Sequence, residues 1–106
     1  MLHEEYRLRR AYKEIKEVCD QEKIAIDAKI IYKCYMENAK TKRRGLYEKG
    51  ISAASLYFSY IKNKENRAIE EIASDFNLRK IYLTKGIISF LEIYKTVDAI
   101  INIECV

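Results

Sequence analysis

The chain has 106 residues, 49% of them hydrophobic, and a formal charge of +4 at neutral pH. That length suits one domain over 1–106 with a modest core, about residues 5–96. With no proline, no tryptophan and three glycines, helix breakers are scarce and an all-α fold is expected.

Leu8, Ala11, Tyr12, Ile15, Val18 and Cys19 recur at three- and four-residue steps and predict a first helix over 5–20. "DQEK" interrupts that pattern. Ala28, Ile31, Cys34 and Tyr35 resume it in a second helix over roughly 24–39, and the basic loop "KTKRRG" follows. The third helix, 48–62, contains "ISAASLYFSYI", apolar or small on nearly every face, as in a helix buried on all sides. Its small Ala53, Ala54, Ser55 and Ser59 would let neighbours approach closely. After the loop "KNKENR", Ile69, Ile72, Ala73 and Phe76 mark a short fourth helix. Glu70 and Glu71 lie in its first turns, where the helix dipole favours acids, and Asn77 suits the left-handed residue that ends a helix. Leu83, Ile87, Phe90, Leu91 and Tyr94 mark a fifth helix over about 80–96, most of it expected in the core. "VDAIINIECV" either continues it or starts a sixth element. Taken alone, "NRAIEEIASDFNLRKIYLTKGIISF" has the form of a helix-turn-helix.

The charge is unevenly spread. Residues 1–39 hold eight basic and eight acidic side chains, 40–85 hold eleven and five, and 86–106 hold one and three. The excess therefore sits in the middle, where it forms either a polyanion-binding face or a solvated lysine-rich surface. The most apolar stretch, "GIISFLEIYKTVDAIINIECV", carries Glu92, Lys95 and Asp98, whereas a membrane span needs about 20 mostly apolar residues. "MLHEEYRLRR" has no apolar run after its charges and does not resemble a signal peptide. An intracellular protein is expected, nuclear or cytoplasmic according to the organism. Cys19, Cys34 and Cys105 form no C-x-x-C, and His3 is the single histidine. No metal set and no cofactor is expected, and the cysteines are expected to be reduced packing residues. No phosphate loop, nucleophile elbow or H-E-x-x-H motif is present. Adjacent Glu70 and Glu71 diverge on a helix, so enzymatic activity is not expected.

"AASLYFSYIKNKENRAIEEIASDFNLRKIYLTKG" resembles the cyclin-like repeat of the transcription initiation factor IIB family. Ala53, Ala54, Leu56, Tyr57 and Lys62 fall on the family's central-helix positions. Arg67, Ile69, Glu71, Ile72 and Ala73 match its next block without a gap. Leu78, Lys80, Leu83 and Lys85 keep hydrophobic and basic places downstream, and "AKIIYKCY" is similar to an upstream block through Ala28, Ile31, Tyr32 and Lys33. The likeness spans about residues 8–95. Asn66 replaces the family's proline, Ala68 its helix-starting threonine, and Arg79 its serine. Losing the threonine cap typically costs about 1 kcal/mol. Leu46 stands where the family has arginine after a basic-Gly pair, a place Arg43 and Arg44 could serve. Neither a zinc ribbon nor a second repeat lies within these residues.

The resemblance implies a five-helix cyclin-like domain with a buried central third helix. It implies docking on promoter DNA held by TATA-binding protein, and help in placing RNA polymerase. The candidate phosphate contacts are Lys42, Arg43, Arg44, Lys64, Arg67, Arg79, Lys80 and Lys85, which would position the protein without reading bases. A base-reading helix exposes a polar row, which the apolar fifth helix is not expected to do. The alternative is a cyclin-like module that binds a kinase or another protein and no nucleic acid. Kinase-binding cyclins usually end the central helix with a lysine, and the apolar Ile61 near that place argues against kinase activation.

Overall fold

The computed structural model describes residues 3–41 and 44–104. Among them the fold is all-helical with no strand: α1 (His3–Val18), α2 (Glu22–Asn38), α3 (Leu46–Lys62), α4 (Ile69–Asp75), α5 (Lys80–Tyr94) and α6 (Val97–Ile101). The three-and-four spacing of α1 buries Ala11 and Ile15, continued by Cys19 just past its end, with Leu8, Tyr12 and Val18 packed at the margin. On α2 the same spacing buries Ala28, Ile31 and Tyr35, joined by Ile24, Ala25 and Tyr32.

Helix α3 packs against each of the other five helices. From Gly50 to Tyr60 every residue but Tyr57 is buried, as the all-round apolar pattern predicts. Its small residues are also polar joints. The Ser59 hydroxyl donates to the Ile24 carbonyl of α2 at 2.6 Å, and the Ser55 hydroxyl donates to its own helix at Ile51, 2.9 Å. No buried side-chain nitrogen or oxygen among the described residues lacks a hydrogen-bond partner, the condition for burying polar groups without penalty.

The closest approach is between α3 and α5. A Cβ added to Gly50 would fall onto the Tyr82 carbonyl, and one added to Gly86 would fall onto the Gly50 carbonyl and lie 3.2 Å from the Ala54 methyl. The two backbones therefore touch directly, which only glycine permits. Above that crossing Phe90 fills the space between α2 and α3, with ring centroids 4.6 Å from Tyr35 and 5.3 Å from Phe58.

This contact keeps the expected apolar side of α5 inward, with Leu83 and Phe90 buried and Ile87, Leu91 and Tyr94 packed against the core. Gly86 and Ser89 are buried with them, whereas Ile81 and Ile88 are about half exposed. The small residues face α3, and the two isoleucines turn outward from a helix expected to be mostly core. The segment after α5 forms a separate helix. Lys95 adopts the left-handed region (φ 73°), Thr96 caps α6 by accepting from the Ala99 amide at 3.1 Å, and Ile100 is fully buried.

Two helix ends share one closing motif. After α4, Asn77 is left-handed (φ 53°), with the Leu78 amide bonded to the Ala73 carbonyl and the Asn77 amide to Ser74. After α3, Lys64 takes that position (φ 60°), with Glu65 bonded to Tyr60 and Lys64 to Ile61. Both satisfy carbonyls the helix leaves open. Asn77 meets the sequence expectation; Lys64 does the same without glycine's freedom. The starts of α4 and α5, at Ala68 and Arg79, have no side-chain cap.

The end of α3 is tied to α2 by a polar knot. The Asn63 amide donates to Asp27 (3.0 Å) and to the Ser59 carbonyl (2.8 Å), while Lys23 donates to Asp27 (2.9 Å) and Asn63 (3.0 Å). Burial pushes the Asp27 carboxyl up, but the hydrogen bonds from Lys23 and Asn63 outweigh it and hold the group below its usual value of 3.8.

Gly86→Ala is expected to lose about 1–3 kcal/mol, because the obstacle is backbone that cannot rotate away. The same change in an open helix would gain stability, so urea denaturation separates the two outcomes. Asp27 stabilises the fold fully above the ordinary carboxylate range. That contribution disappears as pH falls through its lowered folded value. Asp27→Asn is expected to be less stable at neutral pH and to flatten the acid side of the stability–pH curve, read from urea midpoints.

Candidate nucleic-acid interface

Each cation of the sequence expectation has a different local setting. Lys42 and Arg43 lie outside the described residues. Arg44 is exposed just before Gly45, the left-handed residue (φ 60°) at the start of α3. Lys64 is exposed at the α3 terminus. Arg67, in the α3–α4 loop, lays its guanidinium over the Tyr60 ring at 4.8 Å and pairs with Glu71 at 3.2 Å and Glu65 at 3.8 Å. Arg79 precedes α5 and is exposed. Lys80 opens that helix and pairs with Glu70 of α4 at 3.0 Å. Lys85 sits over the Tyr47 ring of α3 at 5.1 Å, on the wall of a cavity of about 290 Å³ shared with Ile88, Ser89 and Glu92.

The structure therefore brings Lys64 near Arg67 in one loop, and Arg79 beside Lys80 at the α4–α5 corner. Lys85 faces the start of α3 instead. Arg67 and Lys80 already have acidic partners on α4, so the acids of that short helix neutralise part of the basic edge. Arg44, Lys64 and Arg79 have no ion-pair partner among the described residues. The outer face of α5 runs Ile81, Lys85, Ile88, Glu92 at three- and four-residue steps. It is a mixed apolar and charged row rather than the polar row of a groove-reading helix.

Sequence reasoning missed the cluster into which Arg44 falls. His3, Tyr6, Arg7 and Arg10 of α1 line, with Arg44 and Glu48, a surface cavity of about 360 Å³. Glu48 is buried and forms ion pairs with Arg7, at 3.4 Å, and with Arg10. The Arg7 Nε donates to His3 Nε2 at 3.0 Å, and the Arg10 guanidinium lies over the Tyr6 ring at 5.7 Å. Behind them Tyr32 is buried, which pushes its phenol up to about 12 despite the opposing field of Arg7 and Arg10. The next hollow along, about 340 Å³, adds Glu14 and Lys49. Burial raises the Glu14 carboxyl, with Lys49 and Arg10 opposing. A signal was present in the sequence: residues 3, 6, 7 and 10 share one helical face. The equal count of acids and bases over 1–39 concealed it.

No group of three or more histidine, cysteine or acidic side chains among the described residues is placed to hold a metal ion. Cys19 is buried, its thiol 3.7 Å from the Gln21 carbonyl, and Cys34 is half-buried on α2. No described helix is long and apolar enough to cross a membrane. Compared with known proteins, the chain matches no family model, no curated protein and no solved structure.

Glu48→Gln is expected to lose about 3 kcal/mol, since it leaves Arg7, with only 12% of its side chain exposed, as a largely buried charge. Thermal melting checks this. An equal melting temperature would mean that water, not Glu48, carries the guanidinium.

Proposed function

We propose that this chain is a docking module of the transcription initiation factor IIB kind, with a cyclin-like arrangement of α1–α5. In this reading it seats on promoter DNA held by TATA-binding protein and helps to bring RNA polymerase. The observation that carries the reading is the placement of Arg44, Lys64 and Arg79. All three stand exposed at helix ends with no acidic partner among the described residues. Such cations neutralise phosphates and release counterions, which gives affinity and position without base preference. The resemblance supports it in register: Ala53, Ala54 and Leu56 are buried in α3, Arg67 lies in the following loop, and Glu71, Ile72 and Ala73 lie on α4.

The partly exposed Tyr47, Ile81 and Ile88 on α3 and α5 would meet the protein side of such an assembly. They also favour a second reading, a protein-interaction module without a nucleic-acid role. In that case Arg67 and Lys80 are held by Glu71 and Glu70 as ordinary surface pairs.

Titrating a labelled promoter duplex at low and high salt, with and without TATA-binding protein, separates the two. The docking reading expects binding that falls steeply with salt, a tighter complex when TATA-binding protein is present, and loss of that complex in a Lys64→Glu, Arg79→Glu double variant. A chain that ignores both duplex and complex at low salt refutes it and leaves the protein-interaction reading.

A further inference from the structure

We infer that the cavity between α1 and the start of α3, lined by Arg7, Arg10 and Arg44, is a binding site for the phosphate backbone of a nucleic acid. The inference rests on the docking reading only in taking the chain to bind nucleic acid, and it needs no TATA-binding protein. Three arginines and one carboxylate, Glu48, line the cavity, and Arg7 and Arg10 pair with that carboxylate, so the lining carries an excess of two positive charges. Glu48 is buried beneath them, and its ion pairs fix the Arg7 and Arg10 forks before any ligand arrives. A guanidinium has five donors. Arg7 donates from Nε to His3 and forms an ion pair with Glu48, Arg10 forms another with Glu48, and Arg10 keeps 47% of its side chain exposed. Arg44 is exposed with no acidic partner among the described residues. The remaining donors can therefore converge on an anion entering from solvent.

The ligand is a polyanion rather than a single free phosphate because the site is a surface hollow with Arg10 and Arg44 at its rim. Small anions gain little in such a hollow, whereas a backbone gains from successive contacts and counterion release. The half-exposed Tyr6 ring beside Arg10 adds an aromatic face of the kind that accepts an unpaired base. The neighbouring hollow adds one base, Lys49, and one acid, Glu14, so the summed charge of the two linings is unchanged by it.

The test is fluorescence anisotropy of the full chain with a labelled plain duplex and a labelled single strand over a salt series, without TATA-binding protein. Inorganic phosphate is titrated in parallel and followed on the arginine Nε–H resonances. The wild type is expected to bind both nucleic acids. Arg10→Gln and Arg44→Glu are each expected to lower the slope of log K against log salt by about 1, with the melting temperature unchanged in Arg44→Glu. Should Arg10→Gln melt early, Arg10→Lys keeps the pair with Glu48 but not the planar fork, and weaker binding is still expected. Wild-type affinity and slope in both Arg10 variants overturn the inference, whatever Arg44→Glu does. So does a response to inorganic phosphate with no binding of either nucleic acid. If Arg79→Glu abolishes duplex binding and the Arg10 variants are silent, this site fails and the docking reading stands. If the Arg10 variants lose duplex binding but no complex forms with TATA-binding protein, this site stands and that reading fails.

Discussion

The fold depends on two helix backbones touching at Gly50 and Gly86. Either Cβ would displace a carbonyl of the facing helix, so the α3–α5 distance is set by backbone rather than by side chains. That proximity draws Phe90 down between Tyr35 and Phe58 and completes the enclosure of α3. It also hides the small residues of α5 against α3, with Ile81 and Ile88 left at the surface. One steric constraint thus fixes both the core and the apolar part of the outer face.

A helix enclosed by five others has to satisfy its polar groups within the fold, and α3 does so at both ends. Near its start Glu48 is clamped by Arg7 and Arg10 of α1. Near its end Asn63 is tied to Asp27 and Lys23 of α2, with Ser59 bonded to Ile24 one turn earlier. These joints are directional, unlike apolar contact, and they fix which part of α3 lies against which neighbour. Because the hairpin of α1 and α2 is fastened at two points, its basic residues are held in defined positions relative to the loops around α3.

Charge pairing then separates structural cations from available ones. Arg67 and Lys80 are taken up by acids of α4, and Lys85 rests on an aromatic ring. Among the described residues Arg44, Lys64 and Arg79 remain, each at a helix terminus, and Arg44 opens into the arginine-lined cavity of α1. A count of basic residues overstates such a surface, because a cation that must leave an acid gains less from a phosphate than one that faces only water.

The sequence alone determined the helical class, the places of α1 to α5 within a few residues, the burial of α3 and the left-handed Asn77. All of these follow from spacing along one chain: apolar residues every three or four positions, small residues in a run, a turn-forming asparagine. Tertiary structure alone decided how closely α5 approaches α3, since Gly86 has a role only when Gly50 lies opposite it. It decided that Glu48, in a stretch that reads as a solvated basic loop leading into a helix, is buried between two arginines thirty-eight or more positions away. It also decided which of the predicted cations keep free donors. Ion pairs such as Lys80 with Glu70 depend on the angle between helices, and a one-dimensional pattern of charge carries no such angle.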